Sequence, residues 1–211
     1  MKKLQICNLF SGIGGNRKLW GDDHDITAVE YDPEIANAYQ DRFPNDTVVV
    51  GDAKQYLLDH YREFDFIWAS PPCQTHSRAR RARVNVKYPN GNEYNAVYPD
   101  LSLYQIILML DNYFDGKWVV ENVIPFYTPI IPPSVNIDRH YYWSNFKISK
   151  IDVEKKYRIQ DVNINTCEFD ISNYKIRRKD QVIRNQVDYE VGKHILDCAM
   201  DTVQHRQGGL F

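Results

Sequence analysis

The chain has 211 residues, which predicts a single domain with one sizeable core. Its formal net charge is −2 at pH 7, so the molecule as a whole does not attract nucleic acid, and any basic binding surface has to be local. The cysteines lack close metal-ligand spacing, which argues against a metal site and predicts thiols in a reducing, cytoplasmic setting. No stretch approaches the roughly 20 apolar residues of a membrane span, so we expect a soluble protein without a membrane partner.

Apolar runs alternate with helical patterns over the first two thirds of the chain. The strand-like runs are 4–10, 26–30, 47–50, 64–69 and 117–121. The helical stretches are a short one that ends at Trp20, then 33–43, 53–63 and 101–114. This alternation predicts an α/β fold, a mostly parallel sheet covered by helices on both faces. Ligands of such folds bind beyond the carboxyl ends of the strands.

The remaining third of the chain differs in composition and in the periodicity of its apolar residues. Residues 122–136 contain several prolines and predict an irregular segment, whereas 139–148 are aromatic and strand-like. Residues 151–182 are polar, charged and weakly periodic, and 187–203 predict a terminal helix with one apolar face.

The motif FSGIGG, Phe10 to Gly15, follows the first strand. Glycines at this place let a ligand approach the backbone, and the N-terminus of the following helix favours an anionic group. The full dinucleotide fingerprint fails, because Arg17 stands where the third glycine would be. A plain strand-to-helix turn explains the glycines equally well.

Acidic residues follow the second and third strands. Glu30, at the tip of the second, can accept hydrogen bonds from ribose hydroxyls, whereas Asp32 is placed to cap the helix that begins at Pro33. Asp52, after the third strand, can cap a helix or face an adenine amino group, and the sequence does not separate the two.

The stretch WASPPCQTHSRARRAR, Trp68 to Arg83, places Cys73 behind two prolines just beyond the fourth strand. This position favours a reactive thiol, since nearby cations lower the pKa of a cysteine. The cations that follow, with His76 among them and no acid, are Arg78, Arg80, Arg81, Arg83 and Lys87. A solvated loop is one interpretation of this run, and phosphate contact is the one we favour.

Glu121 ends the fifth strand in KWVVENV. A carboxylate there is expected to point into the same crevice as Cys73 and to act as a proton donor. The alternative is an acid merely exposed at a strand end.

The ordered series FSGIGG, VEYD, GD, SPPCQ and ENV resembles the DNA cytosine-5 methyltransferases. The likeness covers Leu4 to about Phe146 and resumes in RNQVDYEVGKHILDCA, Arg184 to Ala199. It implies a Rossmann-like S-adenosylmethionine-dependent methyltransferase fold, with a core at 1–150, a short target-recognition region at 151–183 and a returning helix at 184–211.

The resemblance also implies the roles of single residues. Phe10, Gly12 and Gly14 would line the methionine end of S-adenosylmethionine, Glu30 would hold the ribose, Asp52 the adenine, and Asn185 and Val187 would close the pocket. In double-stranded DNA the target cytosine would be flipped out of the stack, because carbon 5 is out of reach inside it. Cys73 would then attack carbon 6 while Glu121 protonates or hydrogen-bonds ring nitrogen 3. Arg78, Arg80, Arg81 and Arg83 would contact the substrate.

Arg139 in NIDRHYYW is the counterpart of an arginine-rich family motif that contacts the base carbonyl. An ion pair with Asp138 is the alternative for this arginine. His140 has no family role that we can assign.

Only about forty residues separate Trp143 from Arg184, too few for a full target-recognition domain. Three interpretations stay open: a short or relaxed target, a partner subunit that supplies recognition, or a degenerate member that binds without turnover. The compactness of the chain favours an enzyme encoded by a bacterium or a phage, such as the methyltransferase of a restriction-modification system. A transfer RNA cytosine-5 methyltransferase and a non-catalytic nucleic-acid-binding relative are the alternative functions.

Overall fold

A computed structural model describes residues 2–86, 94–152 and 169–207, with side chains described as far as Met200. Its seven strands are β1 (Gln5–Leu9), β2 (Asp25–Glu30), β3 (Thr47–Val50), β4 (Phe66–Ala69), β5 (Lys117–Val123), β6 (Val135–Ile137) and β7 (His140–Ser144). They form one sheet in the order β3-β2-β1-β4-β5-β7-β6. Strands β1 to β5 are parallel, and β7 runs antiparallel to β5 and β6. The predicted mostly parallel α/β architecture is confirmed.

The described helices are α1 (Pro33–Arg42), α2 (Ala53–His60) with a 3₁₀ turn at Tyr61–Glu63, α3 (Arg78–Arg81), α4 (Ser102–Tyr113), α5 (Lys179–Arg184) and α6 (Tyr189–Gln207). Helices α1, α2, α4 and α6 lie where the sequence predicts them. The short helices α3 and α5 were not predicted and fall in polar, charged segments. Among the helices that the structure describes, none combines the length and hydrophobicity that crossing a membrane would require.

Alternation along the strands gives the sheet two apolar faces. In β4, Phe66 and Trp68 point to one face, while Ile67 and Ala69 point to the other. Helix α6 covers the first face, and helices α2 and α4 cover the second. Because both faces are covered, the strand ends are the edge that remains open for a ligand.

The prediction of a short helix after the glycine motif is wrong, because residues 10–20 form turns. Phe10, Gly12 and Gly14 have φ angles of 56°, 54° and 72°, and left-handed backbone at these positions does not continue a right-handed helix. Polar side chains hold the turns instead. Arg17 is buried and donates two hydrogen bonds to Asp46, at 2.8 and 2.9 Å.

The described part of the expected target-recognition region packs on α1. Ile171, Ile176 and Ile183 form a small core with Ile13 and Ala38. This part of the region therefore shares apolar packing with the strand-bearing part of the chain. Residues 153–168 of that region lie outside the described residues.

Candidate active site

The carboxyl ends of β1, β2, β4 and β5 open into one cavity of about 1150 Å³. This cavity brings together most of the residues singled out in the sequence. They are Phe10, Gly12, Glu30, Asp52, Cys73, Arg78, Arg80, Arg83, Glu121, Arg139, Asn185 and Val187. Its size exceeds the range of about 300–1000 Å³ typical of a small-ligand pocket, so it has room for two ligands side by side.

Backbone contacts to two neighbouring strands fix the segment that carries Cys73. The Ser70 amide donates to the carbonyl of Leu9 at 3.2 Å. The buried side-chain amide of Asn122, next to Glu121 on β5, donates from Nδ2 to the Pro71 carbonyl at 2.9 Å. Asn122 therefore ties the cysteine segment to the strand that carries the acid. The sequence analysis missed this role, although a polar residue in an apolar strand was a signal for it.

Burial raises the pKa of the Cys73 thiol to about 11, and the nearby charge of Glu121 adds to the rise. Of the cations, Arg139 is the one that acts to lower this pKa. The expectation that the following arginine run activates the thiol is therefore wrong for the ligand-free protein. Desolvation of the thiol in the cavity outweighs the influence of its cationic neighbours.

Glu121 is buried in this cavity rather than exposed at a strand end. Its Oε1 atom lies 3.5 Å from Nε2 of His140 on β7. Both side chains are nearly buried, with 8% and 12% of their surface exposed. His140 is thus a second residue that the sequence analysis left without a role.

Arg139 lines the cavity and has two partners within the protein. Its Nη2 donates to the carbonyl of Arg184 at 3.0 Å, and its Nε lies 3.9 Å from Asp138. The ion pair between Arg139 and Asp138, which the sequence left as an alternative, is therefore present, at the long end of the distances for such pairs. The hydrogen bond links the start of β7 to the end of α5.

The backbone holds Glu30 at the tip of β2. The Gly12 amide donates to its Oε2 at 3.0 Å, and the amides of Tyr31 and Asp32 donate to its Oε1 at 2.9 and 3.0 Å. Burial raises the pKa of Glu30, and these hydrogen bonds oppose the rise. A carboxylate has about four acceptor sites, so capacity for a further donor remains.

The two expected cofactor glycines differ in position. At Gly12, nothing lies within 4 Å of the place of a Cβ, whereas a Cβ on Gly14 would lie 2.4 Å from the ring of Phe43. Gly14 therefore packs against α1 and does not line the cavity. Its place at the cavity wall is taken by Ser11 and Gly15.

Asp52 caps α2, as one of the two alternatives predicted. Its Oδ1 accepts from the amides of Lys54 and Gln55 at 2.8 and 3.2 Å. The residue also lines the cavity, so the cap does not exclude a contact through its other oxygen.

The arginine run divides between two cavities. Arg78, Arg80 and Arg83 line the main cavity, whereas Arg81 lines a separate pocket of about 320 Å³ together with Arg80. The Arg81 guanidinium lies 5.8 Å from the ring centre of Phe126. The structure therefore does not bring Arg81 to the site, because it lies on the other side of the short helix α3. Lys87 lies outside the described residues.

The segment after α5 returns to the glycine turn. Asn185 and Val187 line the cavity, and the carbonyl of Val187 would lie 2.7 Å from a Cβ at Gly15. This close approach places the C-terminal segment against the turn that follows β1.

Residues 4–91 match the family model of the C-5 cytosine-specific DNA methylases. The matched segment contains Cys73 and the glycine motif, and Glu121 follows it along the chain. No curated protein matches the chain.

Solved structures give matches over part of the chain. A mutant of DNMT2 from Spodoptera frugiperda is 26% identical, with a TM-score of 0.37. The match covers 56% of this chain and 35% of DNMT2. A conserved hypothetical protein from Streptococcus pyogenes is 12% identical, with 68% and 86% covered and a TM-score of 0.45. A SAM-dependent methyltransferase from Agrobacterium tumefaciens is 16% identical, with 60% and 41% covered and a TM-score of 0.39.

The C-5 methylase family and the Rossmann-like sheet identify a methyltransferase domain with S-adenosylmethionine as its cofactor. The residues present fit this cofactor. Gly12 leaves open space beside the cavity, and Glu30 keeps acceptor capacity. The Ser11 hydroxyl is buried and has no hydrogen-bond partner among the described residues, which suits a site completed by a polar ligand.

Proposed function

We propose that the protein transfers a methyl group from S-adenosylmethionine to carbon 5 of cytosine in DNA through a covalent adduct with Cys73. One observation carries the proposal. Cys73 and Glu121 line the same cavity as Gly12 and Glu30, the residues suited to the cofactor. A nucleophile and an acid therefore face the ligand space next to a methyl-donor site.

The cofactor end of the site would be built by the first strands. Glu30 would hold the ribose, Phe10 and Gly12 would line the methionine end, and the second oxygen of Asp52 would reach the adenine amino group. Asn185 and Val187 would close the pocket from the C-terminal side. The bound cofactor supplies an electrophilic methyl group on a sulfonium.

The target base would have to leave the duplex stack to reach Cys73. Attack of the thiolate forms a bond from sulfur to carbon 6, and Glu121 gives its proton to ring nitrogen 3. The electron pair of the ring double bond makes carbon 5 nucleophilic, so carbon 5 takes the methyl group. Loss of the carbon 5 proton to a base re-forms the double bond, expels the Cys73 thiolate, and nitrogen 3 returns its proton.

The resting proton positions suit this scheme. The thiol holds its proton in the free protein because burial raises its pKa, and the charge of Glu121 beside it adds to the rise. Moving one proton from Cys73 to Glu121 would give both the nucleophile and the acid that the attack requires. Proximity of the two side chains supports this transfer.

The first experiment measures transfer of tritiated methyl groups to duplex DNA, to transfer RNA and to a control without substrate. We expect label in duplex DNA, at a site that bisulfite sequencing then locates. Label in transfer RNA alone would identify the RNA alternative. Binding without transfer to either would identify a non-catalytic relative and overturn the proposal.

The second experiment tests the covalent step with DNA that contains 5-fluorocytosine. Fluorine at carbon 5 cannot leave as a proton does, so the adduct is trapped. We expect a denaturant-stable complex that is lost in Cys73→Ala and kept in Cys198→Ala, since Cys198 lies on α6 outside the cavity. Absence of the complex at saturating cofactor would contradict the mechanism.

Target recognition remains a separate proposal. The segment between Trp143 and Arg184 is too short for a large recognition domain, so we propose that either a partner subunit supplies recognition or the target is short. Adding host-cell extract to the transfer assay distinguishes them: a partner raises specific transfer, whereas a short target is methylated by the protein alone.

A further inference from the structure

His140, at the start of β7, has a nearly buried side chain that lies beside the acid of the site. Its Nε2 atom is 3.5 Å from Oε1 of Glu121, and both residues line the cavity with Cys73. In the sheet, Val123 pairs with His140 and Glu121 pairs with Tyr142. The antiparallel register of β5 and β7 therefore brings the imidazole to the carboxylate diagonally across the two strands.

We propose that His140 is a positioning residue for Glu121, holding the carboxyl group toward the base through its Nε2 atom. This inference rests on the proposed function and adds to it a residue for which the methylase resemblance offers no role. The observed 3.5 Å exceeds the usual hydrogen-bond length of about 2.7–3.2 Å. A shift of a few tenths of an ångström, as the base enters, closes the contact.

The charged groups that face His140 come from both neighbouring elements. Glu121 lies on β5, and Asp138 and Arg139 lie in the turn before β7; Cys73 faces the same cavity. Burial lowers the pKa of His140, and the charge of Glu121 opposes this. His140 is therefore a neutral donor at neutral pH and becomes a cation in acid.

Protonation of His140 would work against the reaction. A cationic imidazole beside Glu121 stabilises the carboxylate, whereas the attack of Cys73 needs that carboxyl group to carry and release a proton. Because burial holds the pKa of His140 below its ordinary value, we expect kcat to fall in acid and the fall to depend on His140.

Two substitutions separate positioning from simple packing. In His140→Gln an amide nitrogen replaces Nε2, whereas His140→Phe keeps the volume and removes the donor. At pH 8 we expect His140→Gln to stay within about threefold of the wild-type kcat and His140→Phe to lose about tenfold or more, a part of what a general acid contributes. His140→Gln should also lose the acid limb of the pH profile, with KM for DNA little changed in both variants.

The matched control is His60→Gln. His60 also lies beside a glutamate, with its Nδ1 atom 2.8 Å from Glu63, but it is on the surface and does not line the cavity. Its substitution should leave kcat and the pH profile unchanged. Equal loss in His140→Gln and His140→Phe, or wild-type behaviour of both, would overturn the inference while the proposed function stands.

A second readout does not depend on activity. The pKa of His140 can be followed by NMR of its ring nitrogens, with the signal assigned from the spectrum of His140→Gln. In Glu121→Gln we expect this pKa to fall further, because the carboxylate that raises it is gone. An unchanged pKa would show that the pair is not coupled and would overturn the inference. A wild-type protein without transfer or adduct overturns the proposed function, and the catalytic role of His140 with it.

Discussion

Cys73, the nucleophile that we propose, is kept protonated in the free protein. The thiol is desolvated in the cavity, and Glu121 places a negative charge near it. At pH 7.5 a pKa of about 11 leaves well under 1% of the sulfur as thiolate, since each pH unit changes the ratio tenfold. The thiol of the free protein should therefore be a poor nucleophile.

Alkylation of Cys73 tests this electrostatic coupling. The rate with iodoacetamide should rise with pH up to about 11. In Glu121→Gln the charge that raises the pKa is gone, so alkylation at pH 8 should be severalfold faster, while methyl transfer is lost. Mass spectrometry of the Cys73 peptide, with the Cys198 peptide as internal control, gives both rates. Slower or unchanged alkylation in Glu121→Gln would refute the coupling.

Sequence patterns at the residue scale predict which residues lie at the strand ends but not how each is used. Glu30 and Glu121 reach the cavity because residue types at the tips of parallel strands converge by topology. Gly14 could not be separated from Gly12 in the sequence, because the contact with Phe43 that turns it away comes from α1. The raised pKa of Cys73 likewise depends on burial, which the local sequence does not contain.

The connection from β1 to β2 is the element in which the sequence prediction failed. Its local pattern suited a helix, but tertiary contacts determine its path. Arg17 is held by Asp46, and Asn16 exchanges hydrogen bonds with Asn8 on β1 at 2.9 and 3.3 Å. Since the partner Asp46 lies far along the chain, no local window reveals it.

The buried ion pair of this connection should be a large contributor to stability. Arg17→Met leaves the Asp46 carboxylate buried with Tyr39 as its remaining side-chain donor, so we expect a loss of about 3–5 kcal/mol in the free energy of unfolding. Lys3→Met is the matched control. It removes an exposed pair with Asp25 and should cost at most about 1 kcal/mol. Urea denaturation of both variants measures the difference, and equal losses would contradict the argument.

Helix α6 approaches the same connection closely at Gly192. A Cβ at this position would lie 2.2 Å from the backbone oxygen of Asn16. Gly192→Ala should therefore destabilise the protein and weaken cofactor binding, although alanine favours a helix by about 1 kcal/mol over glycine. Thermal unfolding and calorimetric titration with S-adenosylmethionine provide the test. An increased melting temperature would mean that the helix has room to move away.

On the scale of the whole molecule, cationic side chains lie on two sides of the cavity in a chain with a net charge of −2. One wall is the arginine run at α3, and the other is the segment at α5 with Arg177, Arg178 and Arg184. In the sequence these cations lie in two clusters far apart along the chain. The packing of the segment 169–184 on α1 brings the two clusters to one cavity. No sequence motif predicts this packing.

Nucleic-acid binding should follow this local charge. Replacing Arg80 and Arg83 by glutamine should weaken DNA binding and reduce the slope of log affinity against log salt by up to about 2. Arg62→Gln, a surface change near Tyr61 outside the cavity, should leave the slope unchanged. Fluorescence anisotropy with a labelled duplex at several salt concentrations decides, and an unaltered slope would exclude phosphate contact by these arginines.

The cavity draws its walls from segments far apart in the sequence, with the glycine turn at 10–15 at one extreme and 185–187 at the other. During translation, the amino-terminal wall leaves the ribosome long before its counterpart has been made. The cavity therefore stays incomplete until residues 185–187 have been made. We expect the site to become competent for catalysis only when helix α6 has docked.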